Sequence, residues 1–186
     1  MLQPQWAAEW PDDGPVQWAP LVPYWSVLWR SGVALGRELA GSRLDGRRVV
    51  ELGCGLGVPS LVAARAGATV LATDECPEAL ELVEQSAREN GLSIATARVD
   101  WNTAEELVDR GPFDLVLAAD VLYESVSVEL LLSLLPRLGR EVWLADPARP
   151  AAGPFVEQAS RHWSVETGAR GGMQIHRLRA AGAART

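Results

Sequence analysis

The sequence has no lysine and only a few residues of several other types. All 17 of its basic residues are arginines, and its 186 residues include two cysteines, two tyrosines and two phenylalanines. The absence of lysine excludes a catalytic lysine of any kind. The two cysteines, Cys54 and Cys76, are too few for the disulfide framework of a small secreted domain. We therefore expect reduced thiols and a cytoplasmic protein.

The sequence also lacks long apolar runs and an excess of basic charge. No run approaches the roughly 20 apolar residues that a membrane-spanning helix needs, so we expect no membrane association. The first six residues lack a basic segment followed by an apolar core, and we expect no secretory signal. The net charge of −7 opposes nucleic-acid binding, which usually requires a basic surface. A small molecule or a basic protein remains compatible with this charge.

What the sequence does contain is typical of one globular domain. Hydrophobic residues make up 48% of the chain and charged residues 22%, which are ordinary values for such a domain. Residues 1–22 are rich in proline, tryptophan and glutamine and predict an irregular N-terminal arm. Residues 23–186 predict a single domain. It begins with a helical pattern from Pro23 to Leu39 that ends at Gly41.

Short apolar runs alternate with amphipathic stretches through the rest of the chain. This alternation predicts an α/β fold, a mostly parallel sheet with helices on both faces. A glycine pair, Gly171-Gly172, separates the last two strands and predicts a closing β-hairpin. The predicted strands are residues 47–53, 69–74, 94–100, 113–119, 141–146, 163–168 and 173–179. The predicted helices are residues 58–66, 77–90, 103–110, 125–138 and 154–161.

The first predicted strand runs directly into a glycine-rich turn. The glycines are Gly53, Gly55 and Gly57, and Glu51 comes two residues before the first of them. A dinucleotide-binding turn would need its third glycine at position 58, where this chain has Val58. This difference argues against a nicotinamide-dependent oxidoreductase. The pattern Glu-x-Gly-x-Gly-x-Gly between a strand and a helix instead resembles motif I of the class I, or seven-β-strand, methyltransferases.

A second motif narrows this resemblance. The segment Ala119-Asp-Val-Leu-Tyr123 follows an apolar strand and is similar to the Asp-x-x-Tyr motif of the seven-β-strand protein lysine methyltransferases. Residues 23–35 and 144–150 resemble the methyltransferases that act on the electron-transfer flavoprotein β-subunit, although Ala148 replaces a glycine of that group. The resemblance implies a Rossmann-like sheet of seven strands. It also implies an enzyme that uses S-adenosylmethionine, releases S-adenosylhomocysteine and methylates a lysine side chain of a protein.

Three acids follow the predicted strands, where a doubly wound sheet binds its ligands. Asp74 ends the second strand, and a carboxylate there can accept hydrogen bonds from both ribose hydroxyls of the cofactor. Its alternative role is to cap the next helix, and Glu75 is an alternative ribose ligand. Asp100 ends the third strand, and the resemblance places it near the adenine amino group, which is a donor. The alternative role of Asp100 is again a helix cap.

Other cofactor contacts follow from the resemblance. The loop of Gly53, Gly55 and Gly57 is implied to pass under the amino-acid part of the cofactor, and Ala119 is implied to lie beside it. Glu51 lies in a strand that is otherwise apolar, and a buried acid without a partner is costly. Its partner could be the ammonium group of the cofactor or a neighbouring backbone donor.

Two tryptophans are further candidates for cofactor contacts. The indole of Trp101 could cover the adenine ring or simply fill space. In related enzymes an aromatic residue of the N-terminal helix lies against the cofactor, which is the role implied for Trp29. Packing of Trp29 on the sheet is the alternative.

Asp120 and Tyr123 are the predicted catalytic residues. A lysine ammonium, with an ordinary pKa of about 10.4, must lose a proton before its nitrogen can attack a methyl group. Asp120 would hold the amine, either as a base or only as a positioning group, while Tyr123 would orient it and exclude water. The alternative is that Asp120 caps the next helix and that Tyr123 is a packing residue. Asp146 and Arg149 either line the mouth of the substrate site or form an ion pair within a turn.

Two other functions remain open at this point. The chain could methylate a small molecule at nitrogen or oxygen, or it could bind the cofactor without catalysis as a partner protein. The two histidines, His162 and His176, have no cluster of cysteine or aspartate near them in sequence, so we predict no metal site. Because the chain lacks lysine, it cannot methylate its own lysine side chains.

Overall fold

Strands and helices alternate along the computed structural model, which describes residues 23–123 and 125–180. The predicted N-terminal arm, residues 1–22, lies outside the described residues. The strands are β1 (Arg48–Leu52), β2 (Thr69–Asp74), β3 (Ala95–Arg98), β4 (Leu115–Ala119), β5 (Glu141–Asp146), β6 (Trp163–Arg170) and β7 (Met173–Ala180). The helices are α1 (Arg30–Leu39), α2 (Val58–Arg65), α3 (Pro77–Glu89), α4 (Glu105–Asp109), α5 (Ser125–Leu138) and α6 (Ala152–Ala159).

All seven strands form one sheet in the order β3-β2-β1-β4-β5-β7-β6. The first five strands are parallel, and β7 runs antiparallel between β5 and β6. In the middle of the sheet, Glu51 of β1 lies opposite Ala72 of β2 on one side and Leu117 of β4 on the other. The strand order therefore reverses at β1, and the carboxyl ends of β1 and β4 border the crevice where such sheets bind ligands. The predicted fold class is confirmed.

Helices cover both faces of the sheet because its strands present buried apolar side chains on each side. On one face, Leu35 of α1 belongs to a core cluster with Leu117 of β4. On the other face, Leu131 and Leu135 of α5 pack in a cluster with Val116. Full burial of a leucine contributes about 1.5–3 kcal/mol. The two layers therefore hold the carboxyl end of β4 firmly between them.

The N-terminal helix begins later than the sequence predicts. The predicted start is Pro23, whereas Tyr24–Ser26 form a short 3-10 helix and α1 begins at Arg30. Trp29, the residue before α1, is extended with a ψ of 133°, and its Nε1 donates to the backbone oxygen of Tyr24 at 2.9 Å. Aromatic and β-branched side chains lose rotamer freedom in a helix, and they dominate this segment. The prediction of a helix from Pro23 is therefore wrong.

The other predicted elements are confirmed, with ends that shift by no more than two residues. The bounds of β2, β5 and α5 are those predicted, and β6 and β7 form the closing hairpin. No helix in the described part of the chain is both long enough and apolar enough to cross a bilayer.

Candidate functional site

A cavity of about 830 Å³ opens at the carboxyl ends of the central strands. Its place follows from the topology, because the strand order reverses there. All twelve residues for which the sequence predicts a cofactor or catalytic role line this cavity, although their individual roles stay predictions. They are Trp29, Glu51, Gly53, Gly55, Gly57, Asp74, Glu75, Asp100, Trp101, Ala119, Asp120 and Tyr123.

The glycine-rich loop between β1 and α2 forms the floor of the cavity. Gly53, Gly55 and Gly57 have φ angles of 61°, 48° and 68°, a region that glycine adopts far more readily than other residues. A Cβ atom on Gly57 would lie 2.6 Å from Cγ2 of Val83 in α3, and one on Gly55 would lie 3.0 Å from the backbone oxygen of Trp25. The close packing therefore requires a floor of bare backbone.

Glu51 is buried in β1 directly before this loop. Ser60 of α2 donates to its Oε2 twice, from the backbone N–H at 2.9 Å and from the hydroxyl at 2.5 Å. Burial nevertheless raises the pKa of Glu51 to about 8, because the two hydrogen bonds only partly replace the lost water. The sequence shows that Glu51 needs a partner, but it does not identify Ser60, whose approach depends on the turn of the glycine loop.

Asp74 connects the end of β2 to the glycine loop. Its Oδ2 accepts the backbone N–H of Gly55 at 2.9 Å, and its Oδ1 accepts the N–H of Cys76 at 3.0 Å. Cys76 is the N-cap of α3, so Asp74 supports the start of this helix without being its cap. A carboxylate has about four acceptor positions, so Asp74 can still accept from a ligand. Glu75 is exposed beside it on the cavity wall.

Asp100 caps a 3-10 helix formed by Trp101–Thr103. Its Oδ1 accepts the backbone N–H and the side-chain amide of Asn102, both at 2.8 Å, and these bonds lower the pKa of Asp100. The alternative capping role is therefore present, but on this turn and not on α4. Trp101 packs against the α5 side of the core. Its ring atom Cζ2 would lie 3.5 Å from a Cβ on Gly53. The indole therefore packs against the core and also lines the cavity.

The carboxylate of Asp120 is held by side chains from two other elements. Its Oδ1 accepts two N–H groups of Arg149, from Nε at 2.7 Å and from Nη2. Its Oδ2 accepts the hydroxyl of Ser31 in α1 at 3.1 Å. The Asp120 side chain is only 6% exposed. Asp120 thus presents a fixed carboxylate at the cavity wall.

Arg149 comes from the loop after β5 and is aimed at Asp120 by its surroundings. Its backbone N–H donates to Oδ1 of Asp146 at 2.6 Å, and the preceding residue, Ala148, has a left-handed φ of 66°. The guanidinium carbon lies 5.9 Å from the ring centroid of Trp29, within cation–π range. Of the two residues predicted for the mouth, Arg149 lines the cavity, whereas Asp146 is fully buried.

The pairing of Arg149 with Asp120 is a feature that the sequence does not reveal. The two residues are 29 positions apart, and they meet because β4 pairs with β5, with Ala119 opposite Ala145. No local pattern shows which strands are neighbours in the sheet. Ser31 is missed for the same reason, because only the packing of α1 brings its hydroxyl to the end of β4.

Exposed apolar side chains border the mouth of the cavity. Tyr24, Tyr123 and Val126 are 66%, 61% and 58% exposed, and all three line it. In the part of the chain that the structure describes, no other large hydrophobic side chain is exposed to this degree. Tyr123 is therefore largely exposed at the mouth of the cavity, and its catalytic role stays a prediction. An apolar rim of this kind is suited to contact with another molecule.

The charges that line the cavity are mostly negative. Arg149 is the only basic residue among the described residues that line it, and the acids are Asp74, Glu75, Asp100, Asp120 and Glu51, of which Glu51 is protonated at neutral pH because its pKa is raised to about 8. A cleft lined by acids attracts cations. Within residues 23–123 and 125–180, no group of three or more histidine, cysteine or acidic side chains is placed to hold a metal ion. His162 and His176 lie away from the cavity.

The model of a protein family described as lysine methyltransferase matches residues 25–142 of this chain. The chain belongs to this lysine methyltransferase family. The matched range includes the glycine loop and the Asp120–Tyr123 segment, and it ends before Arg149. The predicted resemblance to the class I methyltransferases and to their protein lysine methyltransferase group is thus confirmed at the level of the family.

Three relatives of the chain are protein methyltransferases, two named for lysine and one for arginine. The chain is 34% identical to protein N-lysine methyltransferase METTL21A of Danio rerio over 61% of its own length and 55% of that protein. It is 34% identical to the electron transfer flavoprotein beta subunit lysine methyltransferase of Xenopus laevis, over 73% of this chain and 56% of that protein. It is 30% identical to the histone-arginine methyltransferase METTL23 of Xenopus laevis, over 77% of this chain and 62% of that protein. The chain thus spans somewhat more than half the length of these relatives.

Solved structures show the same fold at lower sequence identity. The magnesium protoporphyrin IX methyltransferase of Synechocystis, crystallised with bound SAM, superposes with a TM-score of 0.66 at 21% identity, over 81% of this chain and 79% of that one. A ribosomal protein L11 methylase of Lactobacillus delbrueckii superposes with a TM-score of 0.65 at 20% identity, over 94% of this chain and 93% of that one. At these identities the likeness concerns the fold alone.

Proposed function

We propose that this chain is a methyltransferase that uses S-adenosylmethionine and methylates the amino group of a lysine side chain in another protein. One observation carries the proposal. Asp120 and Tyr123, the two residues of the Asp-x-x-Tyr motif, line the same acidic cavity as the glycine loop. A methyl donor on the loop and an acceptor at the motif would therefore share one space.

The residues of the cavity fit S-adenosylmethionine, which would supply a methyl group already activated on a sulfonium. The bare backbone at Gly55 and Gly57 leaves room for the amino-acid part of the cofactor. Glu51 would bind its ammonium group and release a proton, because an adjacent cation favours the carboxylate. Asp74 would accept the ribose hydroxyls, and Asp100 the adenine amino group.

The acceptor side of the cavity fits a long side chain that ends in an amine. Asp120 would accept a hydrogen bond from the amine and hold its nitrogen in line with the methyl–sulfur bond. Such alignment can by itself lower a barrier by several kcal/mol. The exposed ring of Tyr123 would pack on the methylene groups of the acceptor and exclude water. The apolar rim would contact the surface of the substrate protein around its lysine.

The experiment that tests the proposal uses methyl-labelled S-adenosylmethionine and a lysate of the host, treated beforehand to remove existing methylation. The purified protein is incubated with both, and labelled proteins are separated and hydrolysed to amino acids. Because this chain contains no lysine, label recovered as methyl-lysine must come from a lysate protein. We expect methyl-lysine in one or a few bands, and an Asp120→Asn variant that produces none.

Other outcomes contradict the proposal in distinct ways. Label recovered as methyl-arginine would contradict the lysine acceptor. Label confined to the small-molecule fraction would favour methylation of a metabolite. Binding of the cofactor with no transfer to any fraction would favour a partner protein without catalytic activity.

A further inference from the structure

We propose that Arg149 controls the protonation of the acceptor amine, so that Asp120 positions this amine and need not remove its proton. The inference rests on the proposed function and deepens it, because it assigns a role to a charge at the same site. Arg149 lies outside the range that the family model matches. It acts here through Asp120 and through its electric field, as a positioning residue.

The hydrogen bonds of Asp120 leave space for only one further donor. A carboxylate has about four acceptor positions. Arg149 occupies two of them on Oδ1, and Ser31 occupies one on Oδ2. The remaining position lies on Oδ2 of a side chain that is only 6% exposed. An amine bound there would receive one well-directed hydrogen bond, which fixes the direction of its nitrogen.

This geometry brings two positive groups to one carboxylate. With ordinary hydrogen-bond lengths, an amine on Oδ2 would lie roughly 5–6 Å from the guanidinium on Oδ1. A like charge at that distance disfavours the charged form of a titratable group. Arginine keeps its charge at every pH of interest, whereas a lysine can lose its proton. The Asp120 carboxylate favours the ammonium, and the guanidinium would weaken this preference by neutralising the carboxylate, so the amine loses its proton more readily than it would beside Asp120 alone.

The reaction is balanced without a base supplied by the protein. The ammonium releases its proton to bulk water as the side chain enters the cavity, and the nitrogen lone pair then forms a bond with the methyl carbon. The carbon–sulfur bond breaks, and its electron pair stays on sulfur. Arg149 only shifts the first equilibrium.

Other titratable groups near the site are the same in every variant compared. Behind Arg149 lies the buried Asp146, which accepts its backbone N–H. The described titratable groups on the remaining walls are Tyr24, Glu51, Cys54, Asp74, Glu75, Asp100 and Tyr123. Because Glu51 has a pKa of about 8 before the cofactor binds, it adds a pH dependence of its own through cofactor binding. Only a difference between two variants therefore isolates Arg149.

The test is the pH profile of the labelling reaction with methyl-labelled S-adenosylmethionine and the demethylated host lysate. It compares wild type with Arg149→Gln, which removes the charge, and Arg149→Lys, which keeps it. We call the pH range over which the labelling rate increases the rising limb of the profile. For Arg149→Gln we expect this limb to lie about one to two pH units higher than in wild type, so that activity recovers at high pH. For Arg149→Lys the limb stays near that of wild type. Ser31→Ala removes a hydrogen bond to Asp120 without a charge, and it lowers the rate equally at every pH.

Two results would overturn the inference. In the first, Arg149→Gln loses the same fraction of activity at every pH, as a purely structural residue would. In the second, Arg149→Lys shifts the limb as far as Arg149→Gln does. Should Arg149→Gln fail to fold, Arg149→Met supplies a second variant without the charge, and its difference from wild type decides. Wild-type protein that labels nothing refutes the proposed function instead.

Discussion

At the scale of single residues, the backbone is strained at two positions next to the same ion pair. Asp120 and Ala148 have φ angles of 61° and 66°, and no other described residue except glycine has a positive φ. Such a conformation costs about 1–2 kcal/mol for a residue with a side chain. Asp120 offsets this cost with the hydrogen bonds that its carboxylate accepts. Ala148 has no polar side chain that could do the same, although its backbone N–H faces the Asp146 carboxylate, and its left-handed turn directs Arg149 toward Asp120.

Replacing Ala148 by glycine should remove this strain. For Ala148→Gly we expect the free energy of unfolding to rise by about 0.5–1 kcal/mol, because glycine adopts a left-handed φ without cost but gains freedom in the unfolded chain. Chemical denaturation at constant pH measures the change. The matched control is Ala64→Gly in the last turn of α2, which should lower stability by up to about 1 kcal/mol. A loss of stability in both variants would contradict the strain at Ala148.

Glu51 should make the stability of the protein depend on pH. Its pKa is raised from 4.5 to about 8 in the folded state, so the folded chain binds a proton that the unfolded chain releases. The stability that this proton contributes is complete below pH 4.5 and is lost as the pH rises through 8. Relative to Glu51→Gln, wild type should therefore lose stability on the order of a few kcal/mol across this range.

The measurement is denaturant unfolding of both proteins at several pH values between 4 and 9, a range chosen to bracket both values of the Glu51 pKa. Glu141 provides a control of opposite sign. Burial raises its pKa, but hydrogen bonds from Arg47 and Trp143 and the nearby charges outweigh burial and lower it. Its stabilising effect is thus present above its unfolded pKa and lost toward acid. A stability difference between wild type and Glu51→Gln that is flat with pH would show that Glu51 is not held protonated.

At the scale of elements, the sequence predicts those helices and strands whose ends are marked by local apolar periodicity and by turn residues. The bounds of β2, β5 and α5 are predicted because apolar runs and turn residues delimit them. The start of α1 is missed because its apolar spacing continues through an extended segment rich in aromatic residues. The acids at the strand ends are predicted because a parallel sheet brings these ends to one edge. The hydrogen-bond partners of these acids depend on the folded structure. The contacts of Ser60 with Glu51 and of Ser31 and Arg149 with Asp120 are therefore not predicted.

The contact between the glycine loop and α3 leads to a prediction at this scale. A Cβ atom at Gly57 would lie 2.6 Å from Val83, in addition to the cost of a positive φ. We expect Gly57→Ala to lower the free energy of unfolding by about 2–4 kcal/mol, the sum of strain and overpacking. Gly91 has a similar φ of 65° but no atom within 4 Å of a Cβ, so Gly91→Ala should cost about 1 kcal/mol. Equal losses of unfolding free energy in the two variants, measured by denaturation, would show that Val83 and α3 shift enough to accommodate the added Cβ atom.

At the scale of the whole molecule, the two layers of helices leave an acidic cavity at the reversal of strand order. This arrangement predicts binding of the cofactor product independently of any catalysis. At a hundredfold excess over its dissociation constant, S-adenosylhomocysteine should stabilise the protein by about 2.7 kcal/mol. A rise in melting temperature reports this binding.

Asp74→Asn should reduce this thermal shift strongly, because the variant loses acceptors for the ribose hydroxyls and for the loop. Asp109→Asn, which changes an exposed acid at the end of α4, has the same effect on net charge and should leave the shift unchanged. An equal shift in Asp74→Asn and wild type would remove Asp74 from the cofactor site.

The most direct test of the central claim is the transfer of labelled methyl groups to lysate protein by wild type and by Asp120→Asn. Both proteins are first shown to bind S-adenosylhomocysteine by the same thermal shift, so that loss of transfer cannot be ascribed to loss of the cofactor site. We expect methyl-lysine in a lysate protein with wild type and none with Asp120→Asn. Methyl-lysine formed equally well by both proteins would contradict the acceptor site at Asp120.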